Sequence, residues 1–131
     1  MTDMNNVHDY IIKSYTVNFE EKKITLEISN DIKEKQVVFH NIFTYKFYDE
    51  MPYSVILDLE ERPLDDFFSE NEELLEQGEK RAWPIMYDSF EELENEIRNA
   101  NVAYQVLYSS YGMNGWVLAE RVEIIDLSNA C

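Results

Sequence analysis

Between Ile24 and Ile28 apolar and polar residues alternate without a break, as Ile24-Thr25-Leu26-Glu27-Ile28. A period of two puts the three aliphatic side chains on one face of an extended strand, which a helix of period 3.6 would scatter. The flanking segments carry related patterns. Residues 11–19 alternate, with Ile11, Tyr15, Val17 and Phe19 expected on one side and Ser14, Thr16 and Asn18 on the other. Residues 37–48 place Phe39, Phe43, Tyr45 and Phe47 on one face, interrupted at Asn41. Polar turns at 20–23 and 30–35 separate the three, which is the pattern of an antiparallel meander. A fourth strand is expected at 55–59, led in by Pro52, with Val55, Leu57 and Leu59 facing inward.

After residue 60 the pattern changes. Leu64, Phe67 and Phe68 follow Pro63 at helical spacing. Ser69-Glu70-Asn71-Glu72 and Ser89-Phe90-Glu91-Glu92 both read Ser-x-x-Glu, in which hydroxyl and carboxylate each satisfy an orphan backbone N–H at a helix start. The first is expected to open a short helix anchored by Leu74 and Leu75 and ended by Gly78. The second opens a longer one with Phe90, Leu93, Ile97 and Ala100 as its buried stripe and Glu91, Glu94 and Asn95 toward water. Two more strands follow. The first, at 102–109, has Val102, Tyr104, Val106 and Tyr108 on one face. The second, at 116–127, is long enough to be bulged, because its polar residues change face near Glu120 and Arg121. Between them Asn114-Gly115 is expected to supply the positive φ of a tight turn. The expected fold is a single α+β domain over residues 1–131. It has a curled, mostly antiparallel sheet of about six strands, with one or two helices inserted after the fourth.

Charge is distributed unevenly over this plan. The chain has 27 acidic and 11 basic residues, a formal charge of −16. The stretch 49–96 alone holds 17 acidic and 3 basic residues, whereas both flanks are close to balanced. Such a field disfavours DNA and RNA, whose phosphates are gripped by clustered Lys and Arg, and it disfavours anionic membrane surfaces. It favours a basic protein partner, met quickly and in a salt-sensitive way. One cysteine, Cys131, leaves no pair for a disulfide framework. Residues 1–6 lack the basic-then-apolar layout of a signal peptide, so a reducing, cytoplasmic setting is expected.

No reaction can be read from the chain. His8-Asp9 has the form of a metal-hydrolase pair, but only His8 and His40 are present to build such a site. There is no Gly-x-Ser-x-Gly turn, and three glycines cannot make a phosphate-cradling loop. Asp65-Asp66 has no calcium-loop spacing around it. The expectation is therefore a protein that is not an enzyme, with no catalytic residue, no metal and no cofactor.

Candidate binding residues come from charge and aromaticity. The carboxylates Asp58, Glu60, Glu61, Asp65, Asp66, Glu70, Glu72, Glu73 and Glu76 form the expected charged surface. Tyr111, Met113 and Trp116 flank the expected turn and supply the aromatic and apolar contacts that protein interfaces use. His8-Asp9-Tyr10, the strand at 24–28, Val38-Phe39-His40-Asn41-Ile42 and Tyr108-Ser109-Ser110-Tyr111-Gly112-Met113-Asn114-Gly115-Trp116-Val117 together resemble small acidic bacterial proteins of the Bacillus YxiG-like group. Several such groups look like immunity proteins of polymorphic toxin systems. The resemblance covers the strand-rich ends and implies an acidic module that binds and neutralises a basic toxin or nuclease. Two alternatives stand beside it. One is a small-ligand domain with a sheet cavity lined by Phe39, Phe43, Tyr45, Phe47, Tyr104 and Tyr108, and the other is an assembly subunit.

Overall fold

The computed structural model describes residues 7–79, 81–85 and 87–127. Residues 1–6 and Cys131, on which the cytoplasmic expectation rests, lie outside that range. Six strands, β1 (Ile11–Asn18), β2 (Lys23–Ser29), β3 (Glu34–Tyr48), β4 (Ser54–Arg62), β5 (Ala103–Tyr111) and β6 (Asn114–Asp126), close into an antiparallel barrel in the order β1-β2-β3-β6-β5-β4. Between β4 and β5 come α1 (Leu64–Glu70), α2 (Glu72–Glu79) and α3 (Phe90–Asn99). The sheet is thus curled to closure, and the insertion after the fourth strand holds three helices where one or two were expected. Among the described residues no helix is long and apolar enough to cross a membrane.

Ile24, Leu26 and Ile28 of β2 are fully buried in the barrel with Val37 and Phe39 of β3, as their alternation requires. The longest ladder joins β3 to β6, from Lys35↔Asp126 to Tyr48↔Asn114. Both strands change face at one level. Phe39 and Ile42 share the interior although three residues apart, as do Ala119 and Val122. Asn41, at φ 52°, and Glu120 turn outward there and are joined by an Asn41 Nδ2 to Glu120 Oε2 hydrogen bond of 2.9 Å. This is the change of face expected near Glu120.

Bulges revise two other assignments, because one extra residue sends every later side chain to the opposite face. The β1–β2 register shifts between Ile12 and Ser14, so Ile12 is buried where Ile11 was expected, while Tyr15 and Val17 pack on the barrel core. Phe19 has the parity of Tyr15 and Val17 but lies past the end of β1, in the turn, and is 77% exposed. Shifts on either side of Ile56 turn Ile56 and Leu59 inward and leave Leu57 48% exposed. The β5–β6 turn also moves. The chain reverses through Gly112-Met113, with φ 87° at Gly112, while Asn114 and Gly115 already belong to β6. Asn114 stabilises this loop through its side chain, which accepts from Ser109 N and donates to Gly112 O.

A second core lies outside the barrel. Tyr104 and Val106 of β5 and Trp116 and Leu118 of β6 pack against Phe67, Phe68, Leu75, Leu93 and Ile97 of the helices. Residues between them, Leu107, Val117 and Ala119, face the barrel interior. Gly115 lies opposite Phe47, and a Cβ there would meet the Lys46 carbonyl oxygen and lie 2.9 Å from Phe47 Cα. These are backbone atoms that no rotamer change can move. Gly115→Ala is therefore expected to lower stability by about 1–3 kcal/mol. The loss should appear as a lower urea midpoint at unchanged slope, and an unaltered midpoint would contradict this packing.

Candidate functional site

The three inserted helices enclose a groove, and each presents one stripe to it. α1 contributes Asp65, Phe68 and Ser69, α2 contributes Glu72 and Glu76, and α3 contributes Phe90, Glu94 and Arg98, with Tyr87 from the connection. Phe68 and Ser69 stand three and four residues from Asp65, and the positions of α2 and of α3 are four apart, so each set shares a face. Phe68 and Phe90 meet edge to face at 6.0 Å and make an aromatic floor. Carboxylates stand around it.

Local sequence chemistry sets these helices, though not wholly as expected. Ser89 caps α3, its hydroxyl accepting from Glu92 N at 3.2 Å. Ser69 caps nothing: it lies inside α1, and its hydroxyl donates to Asp66 O. The break between α1 and α2 is held by Asn71 instead. Its backbone N–H and its side-chain amide both donate to Phe67 O, its carbonyl accepts from Leu75 N, and Nδ2 also lies 3.4 Å from Tyr104 Oη. Tyr87 Oη donates to Leu75 O at 2.7 Å and ties the α2–α3 connection to α2.

Two arginines neutralise part of the acidic surface. Arg62 bonds Asp66 at 3.1 Å and Glu70 at 2.6 Å, and Tyr104 Oη donates to Glu70 at 3.0 Å. Arg98 bonds Asp65 at 2.6 Å and Glu94 at 2.9 Å, and its guanidinium lies 5.0 Å from the Phe68 ring centre. Both guanidinium pKa values are raised, chiefly by hydrogen bonds to Glu70 and Asp65 respectively. Glu61 accepts from the buried Gln105 side chain, and Asp58 accepts from Leu59 N. Glu72, Glu73 and Glu76 carry no ion pair among the described residues, and all three are exposed. Of the nominated carboxylates, then, Asp65, Glu72 and Glu76 share the groove. Glu60, Glu61 and Asp58 lie along β4.

The expected aromatic cluster does not form a surface. Met113 and Trp116 are 2% and 4% exposed, so neither offers a side chain to a partner. Met113 fills the barrel interior, and Trp116 packs on Phe67 at 4.9 Å in the helix-facing core. Tyr111 is exposed, but it sits seven residues along β5 from Tyr104, about 23 Å from it at the rise of a strand, and does not line the groove. The residues proposed to line a sheet cavity are also divided. Phe39, Tyr45 and Phe47 pack with the barrel interior, and Phe43, Tyr104 and Tyr108 with the helix side.

Neither histidine joins the groove. His8 Nδ1 donates to Leu57 O at 2.6 Å, and His40 pairs with Glu123 at 3.0 Å. Among the described residues no group of three His, Cys, Asp or Glu side chains is placed to hold a metal ion. Reading by composition missed Phe90 and Arg98. The available signal was the i, i+4, i+8 spacing of Phe90, Glu94 and Arg98. Comparison with protein-family models, curated proteins and solved structures gave no match.

Two tyrosines are perturbed. Burial pushes Tyr104 up to about 12, with the Glu70 hydrogen bond acting the same way and Asn71 opposing it. Tyr15 is pushed up to about 12 mainly by its hydrogen bond to Glu50. A folded-state value above the unfolded one near 10 means that this stabilisation is complete below pH 10 and lost as pH rises toward 12. Stability should therefore decline between pH 10 and 12, more shallowly in Tyr15→Phe/Tyr104→Phe. Tyrosinate absorbance should show two late-titrating groups that the double variant lacks. A single uniform titration near pH 10 would contradict the assignment.

Proposed function

We propose that this chain is an acidic partner-binding protein whose α1–α3 groove accepts Lys or Arg side chains of a basic protein. Its most concrete form is an immunity-type inhibitor of a basic toxin or nuclease. The observation that carries the reading is Arg98. The groove already holds one guanidinium of its own chain, over the Phe68 face and between two carboxylates. The same groove is also lined by Glu72, Glu76, Phe90 and Tyr87, further carboxylates and aromatic rings, and Arg98 is the one cation among its described lining residues. A cation over an aromatic face contributes about 0.5–2 kcal/mol, depending on how far water is excluded.

The surrounding charge supports the same reading at longer range. A formal −16, of which the stretch 49–96 with 17 acidic and 3 basic residues carries −14, accelerates encounter with a cationic surface. Exposed carboxylates at helical spacing would stand where a nuclease otherwise grips phosphates. Tyr111 does not line the groove and is not part of the proposed face.

A fluorescein-labelled decapeptide of alternating Arg and Lys, titrated by polarisation, tests the site. Binding is expected to weaken as salt rises from 50 to 300 mM. Glu72→Gln/Glu76→Gln is expected to weaken it about fivefold, equivalent to about 1 kcal/mol. Arg98→Met should tighten it, because it frees Asp65, Glu94 and the Phe68 face while removing two partly exposed ion pairs. Equal affinities for wild type and the double glutamine variant would overturn the site. The immunity reading has its own test. Co-expression with a toxin encoded beside this gene should restore growth, and Glu72→Lys/Glu76→Lys should abolish the rescue.

A further inference from the structure

The basic residues give a second, independent signal. Among the described residues Lys13, Lys23, Lys33, Arg62, Arg98 and Arg121 are all in ion pairs, and Lys35 lies buried with its ammonium 5.0 Å from the Tyr10 ring centre. Lys22, Lys46 and Arg81 pair with no described carboxylate, in a chain with 27 of them. All three border two adjoining grooves. The larger, of about 600 Å³, includes Lys22 and Lys46, the smaller includes Lys46 and Arg81, and Lys46 and Trp83 are common to both.

We infer that this surface is a binding site for a small aromatic anion, with Phe19, Phe43, Tyr45 and Trp83 as its walls and Lys22 and Lys46 as its charge partners. Phe19 supports this, because it is 77% exposed and unused by either core, yet lines the larger groove. Flat aromatic walls select a planar ring, and two ammonium groups select a carboxylate, sulfonate or phosphate. The volume lies within the range of small-molecule sites. Charge also limits the ligand's size. The net field repels polyanions, and the groove includes Glu50, whose carboxylate accepts from Tyr15 Oη. A compact anion of low charge is what remains. Its chemistry is opposite to that of the α1–α3 groove, so the two sites are separable by experiment.

The test uses the full chain with 8-anilinonaphthalene-1-sulfonate and its uncharged counterpart N-phenyl-1-naphthylamine. The sulfonate should bind one per chain, at least fivefold more tightly than the uncharged compound, and alter tryptophan emission. The chain has two tryptophans, so Trp83→Phe should remove the change and leave the emission of Trp116. Lys46→Met keeps the apolar stem of an exposed side chain and should weaken the sulfonate at least fivefold. It should move the uncharged compound less than twofold, and Lys22→Met should act in the same direction. Glu72→Gln/Glu76→Gln should leave sulfonate binding within twofold. Equal affinity for the two compounds, or unchanged sulfonate binding in Lys46→Met and Lys22→Met with wild-type urea midpoints, would overturn the site.

Discussion

The β5–β6 pair is buried on both faces, and everything distinctive about the molecule follows from that. Residues of one parity, Leu107, Val117 and Ala119, fill the barrel, and those of the other, Tyr104, Val106, Trp116 and Leu118, face the helices. A barrel strand normally presents its outer side to water. Here that outer side is apolar and must be covered, and α1, α2 and α3 cover it through Phe67, Leu75, Leu93 and Ile97. Burial of each such side chain is worth about 1.5–3 kcal/mol. Helices of seven to ten residues would not persist alone, so this packing is what holds them.

Docking one face fixes where the charge goes. With apolar positions turned to β5 and β6, the carboxylates of the insertion stand outward or around the groove. Arg62 bridges two carboxylates of α1, Asp66 and Glu70, and Arg98 of α3 joins Asp65 of α1 to Glu94 of its own helix, so each relieves the repulsion of two carboxylates. The outer carboxylates of α2 have no such relief among the described residues. The helices of the acidic stretch are thus held on the barrel by their apolar face, with a groove in which Arg98 lies over Phe68 and pairs with Asp65 and Glu94.

Much of the fold was legible because strand periodicity is a local property. Ile24, Leu26 and Ile28 required nothing beyond their own spacing, and Leu93 and Ile97 marked the α3 core face in the same way. Leu57 and Ile11 were misassigned because bulges reset the parity, and a bulge depends on the partner strand; Phe19 was misassigned because β1 ends at Asn18, one residue short of it. Ser69 matched a capping pattern but lies inside a helix, since Phe67 and Phe68 had already drawn the chain onto Trp116. Met113 and Trp116 flank a turn by sequence but are interior, because the reversal falls earlier, at Gly112, and the helices cover the strand beyond it. Half of the candidate groove, its carboxylates, was visible as composition. Its aromatic floor and Arg98 were not, because three helices must be in place before their stripes meet.

The most direct test of the central claim is a map of amide chemical shifts on the full chain as an Arg/Lys-rich peptide is added. Shifts confined to Phe68, Glu72, Glu76, Phe90 and their neighbours, with the amides around Tyr111 unmoved, are the predicted result. Small shifts spread evenly over every acidic segment would mean that the charge acts as a diffuse field with no site, and would contradict the account.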